Sequence, residues 1–262
     1  MKISLKITTI LVITTLITIN LQQVVAQELT AREIVNRSLN LPEGDNQTSN
    51  LTMTLTNKSG DTRVREIKQF TKKMGDVEKS IMFFIAPADV KNTSFMNWSY
   101  TSDKPDDQWI YLPAIKKTKR ISSDSKNDYF MGSDFTYDDL GDRKVEDDTH
   151  SLLRKDEIEG VSYYVIESIP KEADYMYSKT ITWINTESFI GLKKEFYDED
   201  EELLKVLSIL QVEDIENLLV ITHSEMKNVQ KNHSTSMKLS DIKINTGIED
   251  AKFTERIMMR GI

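Results

Sequence analysis

From Leu51 onward the chain alternates apolar and polar residues in short runs that recur about every ten residues, and this pattern constrains the fold more than any other feature. Leu51, Met53 and Leu55 interleave with Thr52, Thr54 and Thr56, a period of two that puts the two sets on opposite sides of a strand. Val64, Ile67 and Phe70 recur among charges in the next run. Similar runs follow at 77–85, 93–100 and 109–112, and then repeatedly from 152 to 244. Turn-forming groups such as Asn57-Lys-Ser-Gly-Asp61 and Glu159-Gly160 separate them. Such spacing predicts an antiparallel meander of about ten or eleven strands. One run, 81–85, is apolar at both parities, so it is expected to be covered on both faces.

Helical signals are few. Thr30-Ala-Arg-Glu33 has the form of a capping box, and Ala31, Ile34, Val35 and Leu39 recur at helical spacing before Pro42. Short helices are also expected around Phe135 to Leu140 and in the tail from Glu249 to Met259. The fold class is therefore mainly β with a minor α part. Three short segments cover little of so large a sheet, which leaves an apolar cleft on one side suited to a hydrophobic ligand. No repeat of fixed period and no Gly/Pro-rich linker divides the chain, so one domain is expected over 27–262.

The first residues read as an address. Lys2 and Lys6 precede an apolar run from Ile7 to Leu21, and Val24-Val25-Ala26 offers a cleavage site, so 1–26 is expected to be a signal peptide. The run is interrupted by threonines and is shorter than the roughly 20 residues that span a bilayer. The chain has no cysteine, so the mature protein carries neither a lipidated N-terminal cysteine nor a disulfide. Export to a Gram-negative periplasm as a soluble monomer is expected. The sequons at Asn50 and Asn97 would matter only in a eukaryotic secreted protein and are read as unmodified.

A formal charge of −8 argues against nucleic acid as a partner. Against that background Lys116, Lys117, Lys119 and Arg120 form a basic cluster, either a solvated strand end or a docking patch for an acidic partner. No catalytic pattern stands out. His150, His223 and His233 lack metal-ligand spacing, and there is no nucleophile elbow or phosphate-cradling glycine loop. The acidic pairs Asp138-Asp139 and Asp147-Asp148 read as solvated charge. Neither an enzyme nor a metal or cofactor site is expected.

Two motifs remain. A strand-like Asp107-Gln-Trp-Ile-Tyr-Leu-Pro113 leads through the basic cluster to Asp128-Tyr-Phe-Met-Gly-Ser-Asp-Phe-Thr-Tyr-Asp-Asp-Leu140. Their order, together with Arg63 and Arg65 on the second strand and a Phe-rich third strand ending at Ala86-Pro87, resembles the LolA-like outer membrane lipoprotein-sorting family. The resemblance implies a single antiparallel half-barrel wrapped around a few short helices, with a hydrophobic concave face. It also implies a periplasmic carrier of lipoprotein acyl chains or other lipids toward an outer-membrane acceptor, some relatives being associated with inner-membrane exporters of the resistance-nodulation-division type. The alternative is a lipid-sensing accessory or regulatory module of such an exporter or of a membrane signalling partner.

On that reading the candidate cavity residues are Leu51, Met53, Leu55, Ile81, Phe83, Trp109, Tyr111, Met131, Phe135 and Leu140. Met82, Met176, Met226 and Met237 are further lining candidates, because an unbranched thioether adapts to variable ligands. Gly132, Ser133, Asp134, Tyr137 and Asp138 form a motif loop that serves as a gate. Gly132 is expected at positive φ, and Ser133 or Asp134 is expected to cap a short helix running through Tyr137. Trp109 and Tyr111 share one side of their strand, and Ile110 and Leu112 share the other. The sequence leaves open which side faces the cavity.

Overall fold

A computed structural model describes residues 28–262; the expected signal peptide lies outside them. Helix α1 (Ala31–Leu39) opens the described chain, and its capping box forms as the sequence predicts: the Thr30 hydroxyl accepts from the Glu33 amide at 3.2 Å and the Glu33 carboxylate accepts from the Thr30 amide at 2.8 Å. Six strands follow, β1 (Asn46–Thr56), β2 (Thr62–Met74), β3 (Val77–Ala86), β4 (Ser94–Tyr100), β5 (Asp107–Leu112) and β6 (Lys117–Arg120). A long connection leads to β7 (Asp148–Ile158), β8 (Val161–Pro170), β9 (Lys179–Asn185), β10 (Gly191–Tyr197), β11 (Leu203–Ile215), β12 (Leu218–Asn228) and β13 (His233–Ile244). Helix α2 (Glu255–Arg260) ends the fold.

All thirteen strands belong to one antiparallel sheet in the order β6-β5-β4-β3-β2-β1-β13-β12-β11-β10-β9-β8-β7. Two meanders therefore run outward from the central β1–β13 pair, in which Met53 lies opposite Met237. The count exceeds the expected ten or eleven. Strand β6, Lys-Thr-Lys-Arg, has no apolar alternation for a sequence reading to detect, and backbone pairing with β5 is what makes it a strand.

A sheet this wide curls. One cavity is lined both by Val77, Glu78 and Ser99 near one edge and by Ser168, Thr180 and Lys194 near the other, so the two flanks face each other across a common interior. Helix α1 lies inside that interior against β7 and β8, with Ala31 and Ile34 buried on Ile166 and Ile184. Helix α2 lies outside, across β4 and β6.

The run 81–85 is covered on both faces from Ile81 to Phe84, but its last residue, Ile85, is 41% exposed, so the double cover ends one residue short of the pattern. Ile81 and Phe83 pack outward with Met96, Phe253 and Met258, where the Ser94 hydroxyl donates to the Met258 carbonyl at 3.0 Å. Phe84 packs inward with Leu51, Met53, Leu55, Ile67, Phe95 and Ile110.

Candidate functional site

The connection 121–147 joins the two free edges of the sheet by crossing its inner face, and the motif loop is the middle of that crossing. The Phe130 side chain is fully buried, its ring 5.1 Å from Phe95, 6.0 Å from Phe84 and 5.6 Å from Tyr137. Phe135 packs further along with Tyr177, Phe196 and Met226. The expected helix over 135–140 does not form. The backbone makes two single 3-10 turns, Phe130–Gly132 and Asp138–Leu140, around a bridge between Tyr129 and Thr136. Gly132 does take a positive φ, +74°, next to Met131 at +50°. Two left-handed residues in succession turn the chain back so that the Phe130 amide donates to the Phe135 carbonyl at 2.7 Å.

Polar side chains attach this segment to the sheet. Asp134 caps nothing: its carboxylate accepts from the Thr235 hydroxyl at 2.7 Å and lies 2.7 Å from the His233 ring, both on β13, while its amide donates to Thr235 at 2.9 Å. Ser133 bonds only locally, to Phe135. Asp139 accepts from Lys205 of β11 at 2.5 Å, from the Tyr177 hydroxyl at 3.0 Å and from the Thr136 amide at 2.7 Å. Asp138 accepts from the Tyr175 hydroxyl, and Arg143 forks onto Asp148.

Lys205 is wholly enclosed, between the Tyr177 and Phe196 rings at 5.0 and 5.1 Å. Burial pulls its ammonium below the usual lysine range, and Asp139 opposes that pull. Tyr175 and Tyr177 are pushed up, first by burial and then by the charges of Asp138 and Asp139 respectively. One member of each acidic pair expected in solvent is therefore buried and partnered, the side chains of Asp139 and Asp148 being only 6% and 8% exposed, while Asp147 stays exposed.

Beside the crossing segment lies an open cavity of ≈ 690 Å³. It is not the apolar cleft the strand pattern suggests. Eight carboxylates, among them Glu78, Asp138, Asp139, Asp142 and Asp148, stand along its wall against the four cations Lys73, Arg143, Lys144 and Lys194. Burial pushes the Glu78 carboxyl up to about 7, with the charges of Glu43 and Asp142 adding to it, and burial raises Asp142 as well. Lys194 is half-buried with no hydrogen bond or ion pair among the described residues, and burial lowers its pKa. The apolar inner surface is instead filled by Phe130, Met131, Phe135, Tyr137 and Leu140.

The structure divides the residues expected to line one cavity. Leu51, Met53, Leu55, Met131, Phe135 and Leu140 face the interior, as do Met82, Met176, Met226 and Met237. Ile81, Phe83, Trp109 and Tyr111 lie on the outer face beneath the C-terminal segment, one strand parity away. Ile110 and Leu112 are the inward residues of β5. Of the basic cluster, Arg120 is paired with Asp107, which helps hold that carboxyl down at about 2 against its burial. Lys116, Lys117 and Lys119 project from the β6 edge, where lysines deter pairing with another sheet. Sequence reasoning missed Lys205, His233, Thr235, Tyr175 and Tyr177. Lys205 had a signal, since it is the single charge in the apolar run 203–207. Among the described residues no three His, Asp or Glu side chains gather as metal ligands, and no helix is long and apolar enough to cross a membrane.

This geometry defines a class: an open antiparallel half-barrel with its inner face covered by its own chain. No functionally curated protein matches the sequence. A family profile described as an uncharacterized protein matches residues 76–260. A putative outer membrane lipoprotein-sorting protein domain from Vibrio parahaemolyticus superposes with a TM-score of 0.81 at 32% identity, over 88% of this chain and 98% of that one. A DUF1329 family protein from Desulfovibrio piger gives 0.82 at 26% identity, over 87% and 97%. A LolA superfamily protein from Nitrosomonas europaea shares the fold at 0.67 and 21% identity, over 87% and 99%. The chain belongs to the family of outer membrane lipoprotein-sorting proteins represented by the Vibrio domain, and it shares the LolA fold.

Proposed function

We propose that the protein is a periplasmic carrier that takes up acyl chains of lipoproteins or other lipids on the inner face of its half-barrel, displacing the segment 121–147, and releases them toward the outer membrane. One observation carries this reading: the apolar inner surface is covered by an irregular segment that side-chain contacts, rather than a ladder of backbone bonds, hold to the sheet. Such a cover can leave while the sheet stays intact. The freed surface of Leu51, Met53, Leu55, Phe84 and Met237 then gains roughly 0.8 kcal/mol for each methylene it shelters from water. The signal-like N-terminus and the printed name of the Vibrio relative support an exported role in sorting. Lys116, Lys117 and Lys119 are the candidate contact with an acidic partner in the membrane.

Because the chain has no cysteine, a covalent latch tests the reading cleanly. Asp134→Cys with Thr235→Cys replaces a side-chain contact by a disulfide between the cover and β13. Native mass spectrometry should find lipid bound to the reduced variant and none taken up by the oxidised one. Equal uptake by both forms means that the segment does not gate the inner face, and no lipid with either form or with the parent protein sinks the carrier reading.

A further inference from the structure

Arg65 is buried to 8% exposure on the inner face of β2, directly opposite Met53 of β1. Its guanidinium lies 6.0 Å from the Phe84 ring, and Nη1 is enclosed without a hydrogen-bond partner. Among the described residues Arg65 makes no ion pair and no side-chain hydrogen bond. The carboxylate that acts on it most, Asp89, is exposed and lies beyond ion-pair distance. Two residues earlier on the same face stands Arg63, opposite Leu55, exposed and likewise unpaired. An enclosed Nη1 without a partner is unfavourable to the fold, so stability does not account for the residue. Its planar fork suits an oxyanion, which it can grip through two parallel bonds.

We propose that Arg65, with Arg63 at the rim, is the anchor for the anionic head of a single-chain amphiphile, a phosphate or carboxylate whose alkyl chain runs along Met53, Leu51 and Phe84. The proposal rests on the carrier reading and adds the ligand's charge, polarity and orientation to it. Asp89 and Arg63 are the charged groups that act on Arg65; the side chains packed around it, Met53 and Phe84, carry no charge.

Binding of hexadecyl phosphate, hexadecanol and inorganic phosphate to the mature protein, with Arg65→Met and Arg65→Lys beside it, decides the matter. The parent protein should bind hexadecyl phosphate at least about ten-fold more tightly than hexadecanol, a single charge-assisted anchor being worth that much. Arg65→Met should abolish the preference while leaving hexadecanol affinity unchanged, Arg65→Lys should restore part of it, and inorganic phosphate alone should bind weakly. Thermal stability of Arg65→Met should be equal to or above that of the parent; a large loss would mean that the guanidinium is a structural element and overturn the proposal. Equal affinity for the two alkyl ligands in the parent protein removes the anchor and leaves the carrier reading standing. Binding of neither removes both, and Arg65-dependent binding of inorganic phosphate alone would make this a site for free anions instead.

Discussion

The two flanks of the sheet are built differently. Strands β3–β5 are apolar on both faces: Phe84, Phe95 and Ile110 meet Phe130 inside, while Ile81, Phe83 and Met96 meet Phe253 and Met258 outside. Strands β7–β12 present Ser168, Thr180 and Lys194 to a charged cavity, and leave Leu152, Leu153, Ile169, Leu210 and Leu219 exposed elsewhere. The distal ends of β11 (212–215) and β12 (218–222) pair only with each other, as a two-stranded ribbon. The crossing segment obeys the same division. It is held to the first flank by an aromatic cluster, and to the second both by Phe135 packed on Tyr177, Phe196 and Met226 and by the polar contacts of Asp134 and Asp139. Apolar contact is non-directional and tolerates sliding, whereas a buried ion pair is made or broken. The first flank therefore works as a fixed wall and the second as the side on which the cover latches.

The largest effect expected from this contrast comes from Lys205→Met, which leaves Asp139 buried without its cation and should cost about 3 to 5 kcal/mol in urea denaturation. Adding Asp139→Leu should recover most of that loss, since a packed apolar pair replaces a buried ionic one at little cost. If the double variant stays as unstable as the single one, the attachment is not an ion pair in any useful sense. On the wall side Met258→Ala should cost about 2 to 4 kcal/mol by opening a cavity over Phe83. No second substitution at a charged position should rescue it. Lipid uptake should change in the Lys205 variant and not in the Met258 variant.

The pattern of the chain made the wall legible and the latch almost invisible. Period-two alternation revealed which residues of β1 share a side, and the doubly apolar run revealed a strand covered twice over 81–84, though not at Ile85. Parity cannot say which side is inside. Trp109 and Tyr111 took the outer face because α2, six residues long and weakly marked in sequence, supplies a lid there. The latch joins Asp139 to a lysine 66 residues away, and nothing local to either residue specifies the other. A charge pair that reads as solvated becomes buried only when the chain between β6 and β7 must cross the interior. The expected helix fails for the same reason: contacts of Phe130 and Phe135 with opposite flanks pull the motif loop open into two single turns.

The charged cavity gives a smaller, pH-dependent effect. Glu78 is held at about 7 in the fold, above its ordinary 4.5, so the folded protein binds its proton more tightly than the unfolded chain does. Stability from this group is thus present below pH 4.5 and lost as pH rises through about 7. Glu78→Gln should add about 1 to 2 kcal/mol at pH 8, after allowance for partial exposure, and nothing at pH 4.5. A gain that does not vary between the two pH values would show that the carboxyl ionises normally. Acid-side loss should instead follow Asp107, whose carboxyl is held at about 2 and whose contribution disappears as pH falls from 3.8 through 2.

The smallest effect compares two glycines under similar strain. Gly132 at φ +74° and Gly60 at +85° both face open space where a Cβ would sit, so alanine costs each about 1 kcal/mol of backbone strain and meets no clash. Gly60 turns β1 into β2 on the fixed wall, where strain can be relieved only by unfolding the hairpin. Gly132 lies in the cover, where withdrawing the segment alone relieves it. Gly132→Ala should therefore raise amide exchange over 128–140 about five-fold and speed lipid uptake, with little change in the global transition. Gly60→Ala should lower the global transition and leave uptake alone. Identical behaviour of the two variants would mean that cover and wall open as one cooperative unit, in which case ligand entry requires a rearrangement of the sheet itself.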